Sequence, residues 1–188
     1  RVLFRSGLEG DINEISADGT GQGLSQQSKV FIGFVLRHDA GGLTEFRDDF
    51  RTQTEHIMAL QFELTDKPQE VADSLARLIH KQGDMIQTGF VGTPYILHVL
   101  SRYGYAELAY TLLLRKEYPS WLYPISKGAT TVWEHWDGIK PDGDIWPAKM
   151  NSFNHYAYGA VGDWMYGVMA GINTVEDAPG FAKVHFAP

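Results

Sequence analysis

Pro68-Gln69-Glu70-Val71-Ala72-Asp73-Ser74-Leu75-Ala76-Arg77-Leu78-Ile79 is the stretch whose reading sets the fold class. Val71, Leu75, Leu78 and Ile79 share one face of an α-helix, because side chains three or four residues apart lie one above the other. Pro68 suits the first turn and Gly83 supplies a stop. The pattern repeats on both sides. Upstream, Phe46, Phe50, Ile57, Leu60 and Leu64 line a helical face. Downstream, Thr93 is expected to cap and Pro94 to open a third helix that ends at Gly104. Leu108, Ala109, Leu112 and Leu113 mark a fourth, closed before Pro119. Connections of a few residues make sequential neighbours antiparallel αα-hairpins, so the chain reads as all-α. A last helix is expected from about Ser152 to Gly171, with Phe153, Tyr156, Ala157, Ala160, Val161, Trp164 and Val168 along its stripe. Gly159, Gly162 and Gly167 lie inside it at a cost of about 1 kcal/mol each relative to Ala, which implies close packing on more than one side.

The ends read differently. Arg1-Val2-Leu3-Phe4-Arg5-Ser6 reads as the translation of a sequencing adapter, and these six residues are set aside from fold reasoning. Residues 7–29 carry Gly, Asp, Asn and Ser with little periodicity and read as loop, and Val30–Leu36 fits a short strand or a helical segment equally. At the other end Ala182, Val184 and Phe186 alternate with Lys183 and His185, the period of a strand. That strand is expected to find no partner within the chain.

Composition narrows the function classes. The chain has 188 residues, 44% of them hydrophobic and 21% charged, which suits a globular domain with a real core. A net charge of −7 argues against nucleic acid as a partner, since phosphate backbones call for a basic footprint. No apolar run approaches the roughly 20 residues that span a bilayer, so no membrane role is expected. The absence of cysteine removes disulfide and thiolate chemistry. His38, His56, His80, His98, His135 and His185 show no pair spacing typical of zinc, and nothing calls for a metal or a cofactor. No motif encodes a compartment or an oligomeric state.

All five tryptophans, Trp121, Trp133, Trp136, Trp146 and Trp164, fall in one third of the chain. Grouped aromatic rings suit either a packed core or a sugar site, where C–H faces of a pyranose stack on the rings. Thr130-Thr131-Val132-Trp133-Glu134-His135-Trp136-Asp137 tilts the choice toward a site. Glu134 is the only glutamate between Glu117 and Glu176, and two tryptophans flank it. Aromatic neighbours keep water off a carboxylate and make it a better base near neutral pH. The alternative is an ion pair with Lys127 or Lys140. His155, in Asn151-Ser152-Phe153-Asn154-His155-Tyr156, is expected in the first turn of the last helix, capped by Ser152 or Asn151, where a neutral imidazole can bond a sugar hydroxyl. A purely structural histidine is the competing reading.

Gly128-Ala129-Thr130-Thr131-Val132-Trp133-Glu134-His135-Trp136-Asp137, followed by Asn151-Ser152-Phe153-Asn154-His155-Tyr156-Ala157-Tyr158-Gly159, resembles the bacterial α-L-rhamnosidases of glycoside hydrolase family 78. Gln53-Thr54, Ala59-Leu60, Thr88-Gly89-Phe90-Val91-Gly92-Thr93-Pro94, Tyr118-Pro119-Ser120-Trp121, Ala170-Gly171-Ile172 and Pro179-Gly180-Phe181 support it. The match covers about residues 50–188, and residues 7–45 match poorly. The resemblance implies the C-terminal half of an (α/α)₆ toroid, with residues 46–178 a partial catalytic domain and 179–188 the start of a β-sandwich. It implies an inverting hydrolase that removes terminal α-L-rhamnose from a glycoside or polysaccharide without a cofactor. By motif position Glu134 matches the general base and His155 a rhamnose contact, with Trp121, Trp133 and Trp136 as candidate ring surfaces and an apolar wall for the 6-deoxy methyl. The general acid belongs to an upstream motif that this chain lacks, so the chain alone is expected to be inactive. Two other readings stand beside this one: an (α/α)₆ glycosidase for a different sugar, and a non-catalytic sugar-binding helical protein.

Overall fold

The computed structural model describes residues 50–147, 149 and 151–188, all within one compact unit, Asp48–Pro188. The readings of residues 1–6 and 7–45, and of Phe46, lie outside the described residues.

Helix α1, Gln53–Gln61, starts where Thr52 and Glu55 cap each other: the Thr52 hydroxyl accepts from Glu55 N at 3.2 Å and Thr52 N donates to the Glu55 carboxylate at 2.7 Å. Two donors that a helix start leaves orphaned are thereby satisfied. The helix is shorter than the stripe from Phe46 to Leu64 suggested. Helix α2, Pro68–Lys81, matches its expectation, with Pro in the first turn and His80 and Lys81 in the last. Gly83 closes it at φ +76°, a left-handed conformation that favours glycine. Gly83 N and Asp84 N cap the carbonyls of His80 and Ile79, both at 3.0 Å.

Helix α3, Thr93–Arg102, ends at Gly104 as expected, but Thr93 does not cap it. Gly92 holds the cap position, and the Thr93 hydroxyl instead donates back to Gly89 O at 2.7 Å and meets the Thr88 hydroxyl at 2.8 Å. Helix α4 is Ala106–Leu114 and α5 is Leu122–Ser126. α1 packs on α2 and α3, and α3 packs on α4. Ile57 and Leu60 from α1, Val71, Leu75 and Ile79 from α2, Ile96 and Leu100 from α3, and Leu112 from α4 form a shared buried core. Each such side chain contributes about 1.5–3 kcal/mol by leaving water.

The last helix departs from the sequence reading. Residues 152–155 are not helical; a 3₁₀ turn, Ala157–Ala160, leads into α6, Val161–Trp164, and a π-turn, Met165–Met169. Neither Asn151 nor Ser152 caps this run, and His155 precedes its first turn. The reason is that the backbone of residues 152 and 155 is paired with residues 132 and 134 and so is not available to a helix. Trp164 anchors the run: it is fully buried, and its Nε1 donates to the Ser101 hydroxyl on α3 at 2.9 Å. The expectation of close packing at all three glycines fails at Gly162, which faces open space.

The terminal strand does have a partner. β2, Val184–Phe186, pairs antiparallel with β1, Ile172–Thr174, in the register Ile172 to Phe186 and Thr174 to Val184. The described residues are thus mostly helical with one small two-stranded sheet. Among them, no helix is long and apolar enough to cross a membrane.

Candidate active site

The carbonyls of Pro124 and Ile125 accept from Ala129 N at 3.0 Å and Gly128 N at 2.9 Å, which ends α5 and turns the chain into the glutamate loop. From there, residues 131–134 run alongside residues 152–155. Glu134 N donates to Ser152 O at 2.8 Å, His155 N donates to Val132 O at 2.8 Å, and the Thr131 hydroxyl donates to Phe153 O. Glu134 and His155, far apart in sequence, therefore sit on neighbouring segments joined by backbone hydrogen bonds.

The Glu134 side chain is partly buried. Its Oε2 accepts from Ser152 N at 2.8 Å, while Oε1 has no hydrogen-bond partner among the described residues. One oxygen is thus fixed by backbone and the other is free of hydrogen bonds among the described residues. The sequence alternative, an ion pair with Lys127 or Lys140, is not what the structure holds: Lys127 reaches Pro141 O at 3.4 Å, and Lys140 lies over the Trp146 ring at 4.4 Å.

His155 is partly buried and lies parallel to the Phe90 ring, with centroids 4.8 Å apart and planes 11° apart. Tyr156 is parallel to it as well, at 5.7 Å and 3°. Ala157 N donates to His155 Nδ1 at 3.4 Å, so in the neutral ring the proton sits on Nε2, which is left as a donor.

An aromatic stack backs these two residues. Phe90 meets Tyr158 at 5.0 Å, Tyr158 stacks on Trp136 at 3.8 Å and 11°, and Trp136 meets Trp121 edge-on at 5.3 Å. Trp121 Nε1 donates to Tyr158 O at 2.9 Å. Burial, first, and then neighbouring Tyr118 and the Glu134 carboxylate push the Tyr158 hydroxyl up to about 12. Burial and then Asp137 likewise push Tyr118 up. These phenols stay protonated near neutral pH and add no charge beside the acids of this loop.

The tryptophans divide. Trp133 and Trp136 are only 5% and 9% exposed. Trp136 uses a face on Tyr158, and Trp133 packs edge-on against Phe153 at 5.0 Å. Gly138 makes room for this: a β-carbon there would lie 3.0 Å from Trp133 and 3.1 Å from both Asn151 Oδ1 and Phe153. Trp121 is partly buried. Trp146, at 39% the most exposed of the five, stacks on His135 at 5.6 Å. The rings next to Glu134 in sequence are thus buried against Phe153 and Tyr158. Phe90, Ser152 and Tyr158 are the contacts that spacing did not single out, because nothing local marks a residue that meets the site from a distant loop.

A separate recess lined by Phe50, His56, Glu70, Val71, Asp73, Ser74 and Arg77 lies between α1 and α2 and includes neither Glu134 nor His155. Among the described residues, no three His, Asp or Glu side chains gather as a metal site.

Residues 37–169 match the model of the bacterial α-L-rhamnosidase six-hairpin glycosidase domain. An α-L-rhamnosidase of Streptomyces avermitilis is 47% identical over 133 residues, covering 70% of this chain and 12% of that protein. One from Formosa agariphila is 40% identical over 144 residues, covering 76% of this chain and 15% of that protein. Among solved structures, the Streptomyces avermitilis enzyme complexed with L-rhamnose superposes with a TM-score of 0.70 at 39% identity, over 86% of this chain and 16% of that one. The native Aspergillus terreus α-L-rhamnosidase gives 0.65 at 37% identity, over 80% and 18%. The chain therefore spans less than a fifth of the length of these relatives. A family match over most of the chain, with relatives this similar, makes it a member of the bacterial α-L-rhamnosidase six-hairpin glycosidase family.

Proposed function

We propose that this chain is the C-terminal half of the (α/α)₆ toroid of an inverting α-L-rhamnosidase, with residues 46–178 in the toroid and 179–188 opening a β-domain. The substrate is a glycoside or polysaccharide ending in α-L-rhamnose. Glu134 is the general base, His155 binds the sugar, and the general acid is supplied from sequence outside this chain. The observation that carries the reading is the pairing of residues 131–134 with 152–155, which puts the proposed base and the proposed sugar ligand on adjacent segments.

In an inverting glycosidase the two carboxyls stand roughly 6.5–9.5 Å apart, leaving room for a water opposite the leaving group. Glu134 Oε1 takes a proton from that water as its oxygen attacks the anomeric carbon, while Ser152 N–H holds Oε2 and so the plane of the carboxylate. The acid protonates the departing glycosidic oxygen. His155 Nε2–H donates to a rhamnose hydroxyl. Trp121 and Trp136 back the sugar site through the aromatic stack, and Trp133, packed on Phe153, supports the segment that carries His155.

The test is Glu134→Gln in the complete enzyme. The Gln carbonyl still accepts from Ser152 N–H, but the amide nitrogen that replaces Oε1 cannot accept a proton. Loss of a general base lowers kcat by about 10²–10⁴-fold with little change in substrate binding. Full kcat in this variant removes the base role, and with it the catalytic reading of the site.

A further inference from the structure

We propose that Phe90 is a positioning residue for His155, holding the imidazole plane so that its Nε2–H points at the bound sugar. This rests on the reading of the site as a rhamnosidase pocket, in which His155 is the sugar ligand.

Three observations converge. First, the Phe90 and His155 rings lie 4.8 Å apart and 11° from parallel, a contact that restrains rotation of the imidazole about its ring bond. Second, Ala157 N–H occupies Nδ1, so the same ring orientation that satisfies this donor leaves Nε2 outward with the proton. A flipped ring would set a carbon against Ala157 N–H and remove the Nε2 donor from the sugar. Third, Phe90 sits on a loop that is itself held rigid, as a positioning group requires. Buried Gln53 on α1 ties the near side of that loop: its amide donates to Gln82 Oε1 at 2.7 Å and Met85 O at 2.8 Å, and its carbonyl accepts from Gln87 N at 3.0 Å. Thr88 and Thr93 tie the far side through their hydroxyls at 2.8 Å. Phe90 is 38% exposed and also backs on Tyr158.

The test uses the complete enzyme with an aryl α-L-rhamnoside. Phe90→Leu keeps the apolar bulk and removes the stacking plane; Phe90→Tyr keeps the plane. The expected result is a KM raised about tenfold in Phe90→Leu, the scale of one misdirected hydrogen bond, with kcat changed far less and with Phe90→Tyr close to wild type. In a His155→Ala background Phe90→Leu should add nothing, because its effect runs through the ring that is gone. A crystal structure of Phe90→Leu should show the imidazole rotated or in two orientations. An unmoved imidazole, or a tenfold loss that persists without His155, overturns the proposal. If the wild-type complete enzyme turns over no rhamnoside, the functional reading fails instead, and the ring orientation in the variant still decides the role of Phe90.

Discussion

His56 lies fully buried on α1, with Nδ1 at 2.7 Å from Thr52 O and Nε2 at 3.1 Å from the Ser74 hydroxyl on α2. Burial holds it below its ordinary value of 6.5, only partly opposed by the Thr52 carbonyl and the Glu55 charge. The folded state therefore resists taking the proton that the unfolded chain accepts near the ordinary value. Stability that is present above about pH 6.5 is lost as the pH falls through the lower folded value. Hydrogen exchange across residues 53–61, corrected for the intrinsic rate, should quicken as the complete enzyme is taken from about pH 7 to about pH 5. His56→Gln should flatten that dependence. Protection that is the same at both pH values in the parent would show that His56 is not the group that titrates. At the same scale, the proposed base Glu134 has one oxygen held by a backbone donor, Ser152 N–H, and the other without a hydrogen-bond partner among the described residues.

Helices α2, α3 and α4 were legible because apolar spacing, a proline in the first turn or a terminal glycine all agree at those places. Thr52-x-x-Glu55 is a capping-box pattern that marks the start of α1, and apolar spacing alone misses it by looking only for buried faces. The segment after Asn151 was misread for a physical reason. Its apolar residues fit a helical stripe, but the backbone of Ser152 and His155 is spent on Glu134 and Val132, and only long-range pairing decides that. β2 was visible from its alternation; its partner, three residues long, offers too little pattern to be read. The Glu134 and His155 motifs were legible through family resemblance, as was the stretch that holds Phe90, but not the contact of Phe90 with His155, which crosses from the α2–α3 loop. Gln53 links these elements and carries the element-scale prediction. Gln53→Leu leaves Met85 O and Gln87 N without their partner, at about 1–3 kcal/mol. Exchange across residues 82–92 should accelerate accordingly, while α4 keeps its protection; unchanged exchange in the loop would show that Gln53 does not hold it.

At the scale of the molecule, the chain matches less than a fifth of the length of its relatives, and Met165, Tyr166, Val168, Met169, Val184 and Phe186 are each exposed. Exposed apolar side chains are costly to leave in water, and neighbouring elements of the proposed toroid would cover them. In the proposed reading the chain supplies the base, the sugar-binding histidine and half the helical scaffold, and the rest of the toroid supplies the acid and covers this surface. The most direct measurement is to express residues 7–188 alone, and then together with the upstream half of a related enzyme, and to follow release of an aryl leaving group from an α-L-rhamnoside. No enzymatic turnover is expected from the chain alone, and turnover restored by the complement should be abolished again by Glu134→Gln. Robust turnover by the chain alone would mean that the catalytic acid lies within it and that the division of the two carboxyls between the halves is wrong.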